Sequence, residues 1–207
     1  MNVLIVAATK FEIEPFLKEN NQAEILITGI GIPSTVFHLT KKLSEKNYDL
    51  VINAGIAGNF GKRFSLSEVV LVKEDTFGDI GINENENFKT LFETGLANKN
   101  DFPYSNGWLI NQNAGLEKWQ LPFAKAVTIN KITDDVLQIK KLQQKFSADI
   151  ESMEGAAFHY VCLQQKINFI QIRSISNTVG ERDKTKWQMK TAIANLNTEL
   201  LKIISKL

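Results

Sequence analysis

The stretch NVLIVAA, residues 2–8, places six apolar residues in a row. Such a run is typical of a strand buried on both faces, because a strand with one solvated face alternates apolar and polar residues. FEIEPFLKEN, residues 11–20, then predicts a short amphipathic helix, and AEILITG, residues 23–29, predicts the next strand. The beginning of the chain therefore indicates an α/β fold.

The same alternation of strand and helix patterns continues to the end of the chain. Further strands are predicted at residues 48–55, 66–75, 123–129 and 168–176. Helices are predicted at residues 32–47, 133–146, 152–166 and 187–207, the second with Thr133 or Asp134 as its N-cap. Residues 80–120 are polar, rich in Asn and aromatic, and predict no definite element. We expect one domain over residues 1–207, arranged as a three-layer α/β/α sandwich.

The acidic and basic residues of the chain nearly balance, which bears on the kind of partner that is expected. Lys and Arg total 24 against 23 acidic residues, which gives a formal net charge of +1. A chain of this kind has no electrostatic reason to bind nucleic acid or a membrane surface. A small molecule is therefore the expected partner.

Cysteine and histidine are scarce. Cys162 is the single cysteine and His38 and His159 are the two histidines, so an internal disulfide is impossible and a Cys/His metal cluster is not expected. The first residues lack a basic n-region and reach a charge at Lys10, too early for a secretory or membrane-spanning segment. We expect a cytoplasmic protein.

Ligands of open α/β sheets bind outside the carboxyl ends of the strands, so the residues that follow each strand are the candidates. Gly29 and Gly31 suggest a dinucleotide fingerprint, but Ser34 replaces its third glycine and the motif follows the second strand. The sequence also lacks the GxxxxGK[ST] pattern of a P-loop. We expect no cofactor, and we expect the glycines to bring backbone N–H groups of a helix start, such as that of Gly31, close to a ligand.

Most of the candidate side chains also have a structural interpretation. These interpretations are a solvated helix residue for Glu12, a helix-dipole acid for Glu154, a turn residue for Asn177, a core filler for Met153 and a core anchor for Trp187. Arg173 is different, because it ends the apolar run FIQIR, where a charge is costly unless it is paired.

Four motifs taken in chain order resemble the nucleoside phosphorylase and nucleosidase superfamily. They are Glu12 after the first strand, NAGIAG at 53–58, SMEGAA at 152–157 and RSISN at 173–177. Within the superfamily, residues 151–177 and 174–197 are similar to the futalosine hydrolases, enzymes of an alternative menaquinone pathway. The resemblance implies a central mixed sheet and a homodimer or larger homo-oligomer that acts on a small nucleoside.

The resemblance also implies roles around the ribose. Glu12 is the general base that takes a proton from water, and Arg173 orients that water or the carboxylate. Glu154 accepts the ribose 2′- and 3′-hydroxyls, and Met153 packs on the sugar face. Ile56 departs from the Ser or Thr usual in relatives, which favours hydrolysis over phosphorolysis, although Arg63 could still supply a phosphate ligand. Further substrate contacts are expected from Gly31, Ala57 and Gly58, whereas Glu151 is expected to be a surface cap.

At the base end, Asn177 replaces the Asp of the methylthioadenosine/S-adenosylhomocysteine nucleosidases. An amide can donate to O6 of hypoxanthine and accept from N7–H, so a 6-oxopurine is expected. Ile132 could lie against the base, Trp187 could cap it, and Arg182 could meet a carboxylate on the 5′ side. An adenosine nucleosidase, a purine nucleoside phosphorylase and a nucleoside-binding module without activity are the alternatives.

Overall fold

Strands and helices alternate along residues 1–19, 22–85 and 87–207, which are the residues described by this computed structural model. The strands are β1 (Val3–Ala7), β2 (Glu24–Ile27), β3 (Leu50–Asn59), β4 (Val69–Asp75), β5 (Gly81–Glu84), β6 (Asn87–Thr90), β7 (Leu109–Ile110), β8 (Phe123–Thr128), β9 (Ile150–Ser152) and β10 (Phe169–Thr178). The α-helices are α1 (Glu14–Glu19), α2 (Ile32–Glu45), α3 (Val136–Phe146), α4 (Gly155–Gln164) and α5 (Met189–Ser205). Short 3-10 helices span Lys10–Ile13, Ala114–Trp119 and Lys184–Lys186.

The main sheet is mixed, as predicted. β2, β1, β3 and β10 pair in parallel, while β10 pairs with β4, and β3 with β9, in antiparallel orientation. β8 pairs in parallel with both β4 and β9. The pairing β3–β10–β4–β8–β9 therefore returns to β3 and closes a ring, from which β1 and β2 extend.

Helices cover both faces of the extended part of the sheet. On one face, Ile5 of β1 shares a cluster with residues of α1 and α5, including Phe16 and Leu200. On the other face, Leu4 packs in a cluster with Leu39 of α2 and Phe158 of α4. Neighbouring residues of a strand point to opposite faces, which explains why the wholly apolar first strand is needed. The predicted mixed α/β fold is confirmed, but the closed ring means that the sheet is not a flat layer over its whole width.

The predicted beginnings of α3 and α4 are wrong. Asp135, and not Thr133 or Asp134, caps α3, because its Oδ1 accepts from the backbone N–H groups of Leu137 and Gln138. The predicted helix at 152–166 begins only at Gly155. Ser152 instead ends β9, whose backbone bonds to β3 and β8 and closes the ring.

Two other regions also differ from a simple interpretation of the sequence. The helix predicted at 11–20 consists of the 3-10 helix Lys10–Ile13 followed by α1, and its last residue, Asn20, lies outside the described residues. The unassigned region 80–120 contributes the hairpin of β5 and β6, and β7 at the edge of β4. In the part of the chain that the structure describes, no helix is long and apolar enough to cross a membrane.

Candidate active site

A cleft lies at the carboxyl ends of β1, β3 and β10, beside the beginning of α4. Ten of the predicted site residues line it: Glu12, Ile56, Ala57, Gly58, Ile132, Met153, Glu154, Asn177, Arg182 and Trp187. The other two, Gly31 and Arg173, do not line it: Gly31 donates its backbone N–H to Glu154, and Nη1 of Arg173 lies beside Gly55. The fold therefore assembles one site from segments that are distant in sequence.

Glu12 is held at the end of the cleft nearest β1. Its Oε2 accepts from the backbone N–H and the hydroxyl of Thr9, both at 3.0 Å, and its Oε1 accepts from the backbone N–H of Ile56 at 3.2 Å. The residue is only 8% exposed, so the interpretation as a solvated helix residue is wrong. Three donors hold the carboxylate in one orientation at the cleft, which is what a proton acceptor for a bound water requires.

Arg173 is a buried cation behind the carboxylates. It is 1% exposed, and its guanidinium donates to the side-chain oxygen of Asn53 and to the backbone oxygen of Ile172. Arg173 Nη1 and Glu12 Oε1 both reach the space that a side chain on Gly55 would fill. Burial lowers the pKa of Arg173, and the nearby Glu154 and Glu12 raise it. Arg173 therefore contributes a positive charge near Glu154 and Glu12.

Glu154 occupies the position before the first residue of α4. Its Oε1 accepts the backbone N–H of Gly31 at 2.8 Å, and the residue is 9% exposed. Burial raises the pKa of this carboxyl, and the charge of Arg173 acts in the opposite direction. The prediction that Gly31 binds substrate directly needs correction, because its N–H is used to hold Glu154. Gly31 has a φ of 92°, a conformation that favours glycine.

Asn177 lines the cleft beside Gly58, after an irregularity in β10. Its Oδ1 accepts from the hydroxyl of Ser176 at 2.7 Å, and its Nδ2 donates to the backbone oxygen of Thr178 at 2.9 Å. The half-buried side chain lies beside Gly58, since Nδ2 is 3.4 Å from the position of a Cβ there. Its neighbours leave the amide with one further N–H and one further lone pair for a ligand.

The outer rim comes from two loops. Ile132 is 45% exposed, and Arg182 is also exposed. Trp187 is half-buried and donates its indole N–H to the backbone oxygen of Glu181 at 2.9 Å. These three side chains line the cleft on its solvent side.

Glu151 is the acidic residue that the sequence interpretation misplaced. It was expected to be a surface cap, but it lies in β9, lines the cleft and is only 8% exposed. Burial, together with the negative charge of Asp79, raises the pKa of Glu151 to about 7. If residues 150–152 had been predicted as a strand, Glu151 would not have been taken for a helix cap, because alternation along a strand places it on the face of the sheet opposite Ile150.

Thr9 and Ser176 were also missed. Thr9 holds Glu12, and Ser176 holds Asn177. The pattern of a threonine followed three residues later by a glutamate is a helix-start signature, and it could have identified Thr9.

Comparison with known proteins identifies the family of this chain and several relatives. The family model of the phosphorylase superfamily matches residues 7–206. The futalosine hydrolase of Thermus thermophilus is 28% identical, over 87% of this chain and 80% of that protein. A 5′-methylthioadenosine/S-adenosylhomocysteine nucleosidase of Buchnera aphidicola is 23% identical, over 99% of this chain and 84% of that protein.

A solved structure shows the same fold. It is the 5′-methylthioadenosine/S-adenosylhomocysteine nucleosidase of Neisseria meningitidis in complex with methylthio-immucillin-A. The TM-score is 0.82 at 20% identity, over 100% of this chain and 99% of that chain.

Proposed function

The chain belongs to the phosphorylase superfamily, and from this premise we propose that it is an N-ribosyl hydrolase that cleaves futalosine. The reaction releases hypoxanthine and dehypoxanthine futalosine, a step of menaquinone biosynthesis. The observation that carries the proposal is one cleft that is lined by the buried carboxylates Glu12 and Glu154 and by the amide of Asn177. The similarity to the Thermus thermophilus futalosine hydrolase supports the same substrate.

The carboxylates suit the charge that develops when an N-ribosidic bond breaks. The sugar becomes cationic as the base leaves, and negative charge beside it stabilises that state more than the ground state. Glu154 accepts the ribose hydroxyls, with Met153 against the sugar. Glu12, fixed by Thr9 and Ile56, takes the proton of the attacking water.

The base end favours a 6-oxopurine. The free N–H of Asn177 donates to O6, and its oxygen accepts from N7–H as the leaving base is protonated, with water as the source of that proton. Adenine presents an amino group at C6, which needs an acceptor where the amide N–H lies. Ile132 and Trp187 cover the base, and Arg182 pairs with the carboxylate on the 5′ side of futalosine.

Water is preferred over phosphate as the attacking group. Phosphate needs several cationic or N–H donors in the cleft. Arg63 cannot easily supply one, because its guanidinium bonds to Asp149 at 2.6 Å and to the backbone oxygen of Phe123 at 3.1 Å. Arg173 already donates to Asn53 and Ile172.

The experiment compares hypoxanthine or adenine release from futalosine, inosine and methylthioadenosine, each with and without phosphate. We expect futalosine to have the highest kcat/KM and phosphate to have no effect. Asn177→Asp should shift the ratio of kcat/KM for futalosine to that for methylthioadenosine by about tenfold to a hundredfold towards adenine, the scale of one buried polar mismatch.

Faster cleavage of methylthioadenosine by the wild type would favour the adenosine nucleosidase alternative, and a strict need for phosphate would favour a phosphorylase. If a folded Asn177→Asp variant keeps the wild-type ratio of kcat/KM for futalosine to that for methylthioadenosine, Asn177 is only a turn residue and does not select the base. Tight binding without turnover of any of the three nucleosides would leave only a binding module.

A further inference from the structure

Glu151 is a buried acid in the cleft that the reaction described above does not use. Its Oε2 has no hydrogen-bond partner among residues 1–19, 22–85 and 87–207. A buried polar atom without a partner is costly, and such groups in folded proteins usually have a functional reason. The residue is only 8% exposed, and it lines the same cleft as Glu12 and Asn177.

The strand register places Glu151 beside the base end. Gly58 of β3 pairs with Asn177 on one side and with Glu151 on the other. Paired residues of neighbouring strands project to the same face of a sheet. Gly58 has no side chain, Nδ2 of Asn177 lies 3.4 Å from the position of a Cβ there, and all three residues line the cleft, so the amide and the carboxyl face the same part of it.

The distance along β3 between Ile56, which holds Glu12, and Gly58 agrees with this placement. Ile56, whose N–H holds Glu12, lies two residues before Gly58 on the same strand. Two residues of a strand span roughly 6–7 Å. A purine whose sugar bond lies near Glu12 therefore extends its six-membered ring towards the part of the cleft that Asn177 and Glu151 line.

We propose that Glu151 accepts the N1–H of a 6-oxopurine and is a second determinant of base specificity. The inference rests on the proposed function for the orientation of the nucleoside. Hypoxanthine presents O6 as an acceptor beside N1–H as a donor, and Asn177 and Glu151 supply the matching donor and acceptor. The N1 of adenine carries a lone pair and no hydrogen, so an ionised Glu151 meets it acceptor against acceptor.

The electrostatic surroundings agree with a site that is completed by a ligand. In the free protein, burial and the charge of Asp79 raise the pKa of Glu151 to about 7, so the carboxyl holds a proton for part of the time at neutral pH. A hydrogen bond from N1–H favours the ionised form and supplies the missing partner.

The test measures the affinity of the free bases hypoxanthine and adenine by calorimetry at about pH 8, above the pKa of Glu151 but low enough for hypoxanthine to keep its N1–H. Wild type should prefer hypoxanthine. Glu151→Gln removes the charge and offers an N–H to N1 of adenine, so the preference should fall by about tenfold to a hundredfold. Glu117→Gln, which makes the same change at an exposed residue, is the matched control and should keep the wild-type preference.

A folded Glu151→Gln protein that keeps the wild-type preference would overturn the inference. If that variant does not fold, Glu151→Leu is used instead, because leucine also lacks an acceptor for N1–H. The same loss of preference for hypoxanthine is expected, and an unchanged preference would again overturn the inference. Turnover of futalosine is measured on the same wild-type preparation. If the wild type does not cleave futalosine but its preference for hypoxanthine over adenine depends on Glu151, only the proposed function is rejected. If it cleaves futalosine and the preference does not depend on Glu151, only the inference is rejected.

Discussion

Replacement of Glu12 by Gln tests the proposed general base, and the structure shows that this change affects stability as well. The carboxylate accepts from two backbone N–H groups, that of Thr9 on Oε2 and that of Ile56 on Oε1. An amide has one oxygen, so in either orientation its NH₂ faces one of these donors. A buried donor left without its acceptor costs about 1–3 kcal/mol, which for a chain of this size lowers Tm by about 2–12 °C.

The loss of activity should be much larger than this loss of stability. Loss of a general base lowers turnover by about 10² to 10⁴, because the amide cannot take the proton of the attacking water. The assay is kcat for hypoxanthine release from futalosine at a temperature well below the Tm of the variant, with affinity for hypoxanthine as the control for an intact cleft. A folded variant with kcat within about threefold of wild type would remove Glu12 from the mechanism.

Two further changes test the ribose site and the buried charge. Glu154→Gln keeps an acceptor for the N–H of Gly31 but removes the charge beside the cationic sugar. We therefore expect kcat to fall by roughly ten- to a hundredfold, with a smaller change in substrate affinity. A loss of affinity with unchanged kcat would contradict this prediction. Burial raises the pKa of Asp75 to about 7. Between the ordinary pKa of an aspartate and this value, the folded state therefore binds more protons than the unfolded state. The contribution of Asp75 to the free energy of unfolding accordingly decreases as the pH rises through this range. Urea denaturation at about pH 5 and pH 8 should therefore show a smaller decrease for Asp75→Asn than for wild type, and equal decreases would contradict the assignment.

Much of the fold could be predicted from local patterns. The largely apolar runs at residues 2–8, 48–55 and 168–176 correspond to β1, β3 and β10, because strands buried on both faces are rich in β-branched and other apolar residues. The beginning of α3 was misplaced, since three successive polar residues, Thr133 to Asp135, can each cap a helix and only the backbone geometry selects one.

The sequence by itself determined the alternation of strands and helices and the chemical types available after each strand, including Glu12, Glu154 and Asn177. Only the tertiary structure decided which of these side chains share a cleft and what holds them. The bond from Gly31 to Glu154 joins residues 123 positions apart, and the pairing of β9 with β3 turns Glu151 from an expected surface cap into a buried acid. Hydrophobic periodicity is a local property of the chain, whereas burial and hydrogen bonding at a cleft depend on which strands become neighbours.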